Sequence, residues 1–173
     1  TDLLINELSA EGRAEATYLY WQDWSSRTPA VDDPRVSDLM LQLPVTLETQ
    51  RDAVSGGVSP MVSYHGYWVR DSLGPILTYL AAGRFEEVRR MLEYHRKACW
   101  KLGSCSMLVP LDVDVSEIVE GDWSTVPVEH AEVPSLIVLE HYWYWKACTD
   151  AGSPDDEFIR EAWPFLKRNL YGM

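Results

Sequence analysis

Apolar positions recur with the helical period over most of the chain, and proline or glycine punctuates nearly every run. In "RFEEVRRMLEYHRKACWKL", Phe85, Val88, Met91, Leu92 and Cys99 follow the spacing of an amphipathic helix, which Gly103 closes. The preceding stretch "DSLGPILTYLAA" (71–82) predicts a shorter helix, capped by Asp71 or Ser72 and stopped by Gly83. "PSLIVLEHYWYWKACTDAG" and "PDDEFIREAWPFLKRNL" predict a second helical hairpin turning near Gly152, each helix opening with proline. Upstream, Leu3, Leu4, Leu8, Ala14, Leu19 and Tyr20 outline a helix over 2–24, with a break expected at Gly12. A linker containing Pro29 and Pro34 follows. Asp33 as N-cap and Pro34 at the first helical position then start another helix, which Pro44 should kink or stop early.

Between these runs, "SGGVSPMVSYHGYW" reads as extended and turn-rich, and residues 104–133 as a long irregular connection. The expected class is all-α. Two hairpins, 71–102 and 134–170, recur at a spacing of about 60 residues as a repeat of architecture rather than of sequence. Hairpins joined by long connections suit an α/α toroid, in which loops at one end form the site. A plain helical bundle is the alternative. The expected organisation is a single helical domain, or a fragment of one, over 1–173. Residues 1–32 would form an N-terminal helix and linker, and 33–173 the hairpins with site-forming loops.

A formal net charge of −12 disfavours a nucleic-acid backbone or an anionic membrane surface as partner. No run of apolar residues is long enough to span a bilayer. The first residues lack the basic flank and continuous apolar stretch of a signal peptide, which leaves the compartment open. Eight Trp and nine Tyr stand against three Phe, so most rings carry a polar handle. That bias suits either a wet, concave aromatic surface or ordinary helix contacts. Cys99, Cys105 and Cys148 make no disulfide framework, although Cys99 and Cys105 could pair across a bend. No Cys/His spacing matches zinc, and no cofactor is implied.

The densest chemistry lies in "YHGYWVRDSLGP" (64–75). Asp71 could cap the helix and Arg70 could pair with a carboxylate. Alternatively, Trp68 supplies a stacking face, with Trp68 or Tyr67 in the wall, while Arg70 and Asp71 present a donor fork and an acceptor, the set that neighbouring sugar hydroxyls require. Glu129 and Glu132 in "VPVEHAEVPS" stand at a loop–helix junction as candidate general acids, unless one merely caps that helix. A carboxyl there needs burial to stay protonated against the helix dipole. His130 between them reads as a hydrogen-bonding loop residue. "DVDVSEIVEGDW" is not an EF-hand: Gly is missing from its sixth position, and Trp123 replaces the bidentate Glu. Another kind of calcium site at Asp112 and Asp114 stays open. Tyr142 and Trp145 share a helix face and fit a core better than a sugar subsite.

"YWVRDS", followed by helix, glycine turn and helix, resembles the opening of the catalytic domain in six-hairpin glycosidases, the glucoamylase and glycogen-debranching glucosidase group. Members often carry Trp-x-Arg-Asp before such a helix. The stretch "AEVPSLIVLEHYWYWKACTDAGSPDDEFIREAWPFLKRNL" is similar to another hairpin of these barrels, and the resemblance covers most of 33–170. It implies an (α/α)6 barrel of which this chain supplies about half, completed by further residues of a longer chain. It also implies that Arg70 and Asp71 hold the hydroxyls of a non-reducing-end sugar.

The resulting expectation is a glycoside hydrolase, or part of its catalytic domain, with carbohydrate as partner. Glu132, or Glu129 as alternate, would be the acid; Tyr67, Trp68, Arg70, Asp71 and His130 would bind substrate. The second catalytic carboxylate would lie outside this chain. The alternative is a non-catalytic toroid module that binds carbohydrate or protein through the same aromatic end. An isoprenoid-type toroid enzyme would need an acidic metal-binding motif on a helix, which the chain lacks. Sugar identity, linkage and stereochemical outcome are not legible.

Overall fold

The computed structural model describes residues 8–28, 31–61, 63–128 and 132–171. Among them are six α-helices, one 3-10 turn and a single two-stranded ribbon, so the class is all-α, as the periodicity predicts. The chain divides into two compact units, 1–49 and 50–173.

The first unit carries α1 (Ala10–Arg27) and most of α2 (Pro34–Gln50). Ser9 caps α1 by accepting from the Gly12 N–H at 3.2 Å. The break expected at Gly12 does not occur, because that glycine's N–H is taken up by the cap and the helix continues to Arg27. Asp33 accepts from the Arg35 N–H at 2.9 Å at the start of α2, the N-terminal arrangement that "DDPR" predicts. Pro44 does not stop α2, which runs on to Gln50. Within this unit the Tyr20 hydroxyl donates a hydrogen bond to Glu48.

The second unit is built on two hairpins. Its elements are β1 (Tyr67–Trp68), α3 (Val69–Ala81), α4 (Phe85–Leu102), β2 (Leu108–Val109), a 3-10 turn (Trp123–Thr125), α5 (Val133–Asp150) and α6 (Asp156–Tyr171). Gly83 turns α3 into α4 at φ 68°, and Gly152 turns α5 into α6 at φ 77°, backbone conformations that side chains resist. Asp155 caps α6 through the Phe158 N–H at 3.2 Å and also accepts from the Tyr144 hydroxyl at 2.7 Å and Arg89 at 3.2 Å.

Helix α5 packs against α3, α4 and α6, which explains why "SLIVLEHYWYW" is apolar on nearly every face. Ile137, Tyr144, Phe158, Phe165, Met91, Leu92 and Ile76 fill the space between these helices. The irregular segment after β2 is held from both sides. Trp123 is buried against Trp100 and Phe165, with ring centroids 5.1 and 4.7 Å away. Glu120 accepts from the Trp123 indole at 3.0 Å and pairs with buried Arg96 at 3.4 Å. The three cysteines are buried thiols, so Cys99 and Cys105 do not pair with each other.

Candidate functional site

Strand β1 runs without a loop into α3. It pairs antiparallel with β2, Tyr67 opposite Val109 and Trp68 opposite Leu108, and the Val69 N–H continues the ladder to the Met107 carbonyl at 3.0 Å. An N-terminal N–H of α3 is therefore satisfied by the ribbon, and no side chain caps the helix. This corrects the expectation that Asp71 or Ser72 is the cap. Asp71 lies inside the first turn, exposed, with no hydrogen bond or ion pair among the described residues.

The direct passage from strand to helix sorts the motif by burial. Tyr67, Val69 and Ser72 turn into the core at 0% exposure, Trp68 is half-buried, and Arg70 and Asp71 face outward. The Arg70 guanidinium reaches the Glu132 carboxylate at 3.4 Å, a contact between residues 62 positions apart. Glu132 immediately precedes α5, so the starts of α3 and α5 lie side by side at one end of the unit, its mouth. Trp68 stands beside it, with Tyr64 edge-on to its ring at 6.0 Å. The Trp68 indole N–H is buried and has no acceptor among the described residues. A buried donor left unpaired is costly.

Tyr67 is not part of that mouth's wall: its ring stacks on His95 at 5.0 Å inside the core. Glu129 and His130 lie outside the described residues. Glu132 is present but its side chain is 55% exposed, so this chain does not supply the burial that the acid role calls for. Tyr142 is exposed and Trp145 half-buried, donating to Asp156 at 3.0 Å; the buried aromatic of that helix is Tyr144 instead.

Beneath the mouth lies a polar cluster that the sequence reading did not anticipate. Glu140 of α5 is wholly buried and touches the Ser72 hydroxyl, while the Tyr67 hydroxyl points at its other oxygen from 3.4 Å. Burial pushes the Glu140 carboxyl up to about 8, against the lowering effect of these two hydroxyls. His95 and His141, also wholly buried, are driven the other way by burial, to about 3 and about 4. Neutral His141 donates through Nδ1 to the Ile137 carbonyl at 2.8 Å. The signal that could have located the cluster is "LEHY": an acid and a histidine within a helix apolar on every side have nowhere to go but inward.

Further clefts lie elsewhere in this unit, two of them beside polar side chains. One of about 910 Å³ is lined by Asp52, His65, Asp112, Asp114 and the apolar residues between Pro110 and Val115. Asp52 and Asp114 are occupied there with turns, accepting from Ser55 and Ser116. The other, of about 460 Å³, lies between Asp122 and Ser124 on one side and Trp163, Lys167 and Tyr171 of α6 on the other. Among the described residues, no group of His, Cys, Asp and Glu is placed to hold a metal ion, and no helix is long and apolar enough to cross a membrane.

Comparison of the chain with protein-family models, curated proteins and solved structures finds no match. What can be said of function therefore rests on the chemistry of the mouth and on the resemblance carried by "YWVRDS" and the second hairpin.

Proposed function

We propose that this chain belongs to the catalytic domain of a glycoside hydrolase with an α/α-toroid architecture. In this reading it contributes part of a sugar-binding mouth and one carboxyl. The observation that carries the proposal is the meeting of Arg70 and Glu132 across the first turns of α3 and α5, with uncommitted Asp71 and half-buried Trp68 beside them.

Each group has a distinct task. The Arg70 fork and the Asp71 carboxylate offer donors and acceptors to adjacent hydroxyls, and Trp68 offers an apolar face. A ring bearing hydroxyls on its rim and C–H groups on its faces fits that combination. Such a ligand displaces Arg70 from Glu132 and covers the carboxyl, replacing its exposed surroundings with a drier one. Glu132 then donates its proton to the glycosidic oxygen. A second carboxylate, from residues beyond this chain, serves as base or nucleophile.

The test uses the native protein that contains this chain. Glu132→Gln preserves shape but removes the transferable proton, so turnover of an unactivated glycoside falls by on the order of 10²–10⁴. A glycoside whose leaving group needs no protonation loses far less. Equal losses on both substrates exclude the acid role.

A second reading, a carbohydrate-binding module without catalysis, draws on the exposure and ion pairing of Glu132. There, Glu132 only orients Arg70, and the same substitution weakens sugar binding with no difference between the two leaving groups.

A further inference from the structure

Counting protons through the buried cluster shows which groups donate. The Ser72 hydroxyl has one hydrogen but two close oxygen neighbours: the Val69 carbonyl at 2.6 Å and Oε1 of Glu140. A carbonyl only accepts, and an ionised carboxylate only accepts. Two hydrogen bonds therefore need a second hydrogen, and a protonated Glu140 is the group that can supply it. The consistent arrangement is a relay: Tyr67 O–H to Glu140 Oε2, Glu140 O–H to Ser72 Oγ, and Ser72 O–H to the Val69 carbonyl. Every member is satisfied, as a buried polar network requires.

The relay joins α5 to β1 and to the first turn of α3. Its anchors, Tyr67, Val69 and Ser72, are interleaved with half-buried Trp68 and with outward-facing Arg70 and Asp71. Holding the former sets the register of the latter.

We infer that Glu140 is a positioning residue for the mouth, a neutral carboxyl whose proton latches the Tyr67–Ser72 segment to α5. The inference rests on the reading of that mouth as the sugar site. Loss of the proton leaves two acceptors facing each other at Ser72 and a charge in the core, so the segment moves off its latch. The latch thus makes site geometry sensitive to alkaline pH.

Of the surrounding groups, Tyr67, His95 and His141 do not titrate in its place. From β1, Tyr67 is held well above its ordinary range by burial. From α4 come His95, neutral down to about pH 3, and Cys99, 3.4 Å from the His95 ring. On α5 itself the neighbour is His141, neutral down to about pH 4, with Arg96 of α4 near it. Helix α3 contributes Ser72, and α6 presents Phe158, Phe165 and the Asn169 amide.

The experiment is an NMR titration of the native protein between pH 5.5 and 9.5, following glutamate side-chain carboxyl carbons and the amides of residues 67–72. One glutamate should titrate near pH 8 and be missing from Glu140→Gln, whose amide can still donate to Ser72 and accept from Tyr67. The amides of Trp68, Arg70 and Asp71 should move with the same midpoint in the wild type and stay still in the variant. Ser72→Ala removes the hydroxyl that takes the proton, and it should displace the same amides. If Glu140→Gln does not fold, the wild-type and Ser72→Ala titrations decide. A glutamate at pH 8 without movement at 68–71 makes Glu140 a core residue with no positioning role and overturns the inference, as does the absence of any glutamate titrating there. Loss of the glycosidase reading through Glu132→Gln leaves this titration unaffected, so the two failures are separable.

Discussion

A neutral carboxyl sealed in the core has a measurable consequence for stability, and Glu140→Gln isolates it. The wild-type carboxyl titrates near 8 in the folded chain against an ordinary 4.5. Between those values the folded state holds a proton that the unfolded state has released. Stability from this group is therefore complete below pH 4.5, falls as the pH rises towards 8, and levels off beyond it. The slope is about 1.4 kcal/mol per pH unit, or roughly 5 kcal/mol over the whole window. Glutamine cannot ionise, so the variant lacks this slope. Urea unfolding of both proteins at pH 5, 6, 7 and 8 gives the difference in stability at each pH. All other titrations cancel in that difference, which should move in favour of Glu140→Gln by about 1.4 kcal/mol per unit. The sign and size of the offset at pH 5 report how well an amide replaces the acid, but the slope does not depend on it. Parallel curves would mean that Glu140 is ionised in the core at neutral pH, and the proton count through Ser72 would be wrong.

The two histidines shape the opposite limb. His95 and His141 are held neutral to about 3 and about 4, so the unfolded chain binds more protons below 6.5 and stability falls as the pH drops. His95→Phe should flatten that acid limb by about 1.4 kcal/mol per pH unit, read from the same unfolding series. Asp71→Ala should leave the melting temperature within an equivalent of about 0.5 kcal/mol, since Asp71 caps nothing, while sugar affinity or turnover collapses; calorimetry and a binding assay separate the two. Asp155→Ala removes the α6 cap and strands the Tyr144 hydroxyl, for a loss of about 2 kcal/mol in chemical denaturation. Gly152→Ala meets open space but retains a φ of 77°, so its cost of about 1 kcal/mol is backbone strain alone and appears as a lower Tm without change in the m-value.

Much of the helical frame was legible because its signals are local. Gly83, Gly103 and Gly152 sit where the chain needs a positive φ, Asp33–Pro34 opens a helix through its own neighbours, and the period of 85–102 follows from one buried face. Where local rules competed, the sequence misled: Gly12 is tolerated inside a helix, Pro44 does not stop one, and the ribbon replaces the side-chain cap expected at Asp71. Residues 67–72 show the limit most clearly. Their composition announces a site, but only pairing with β2 decides that Tyr67 and Ser72 face inward and Arg70 and Asp71 outward. The partners that give those side chains their roles are Glu132 and Glu140, 62 and 68 positions away. No periodicity encodes that distance. The protonation of Glu140 is likewise a property of the packed core, because the same carboxyl in water would be ionised and would bind nothing beside it.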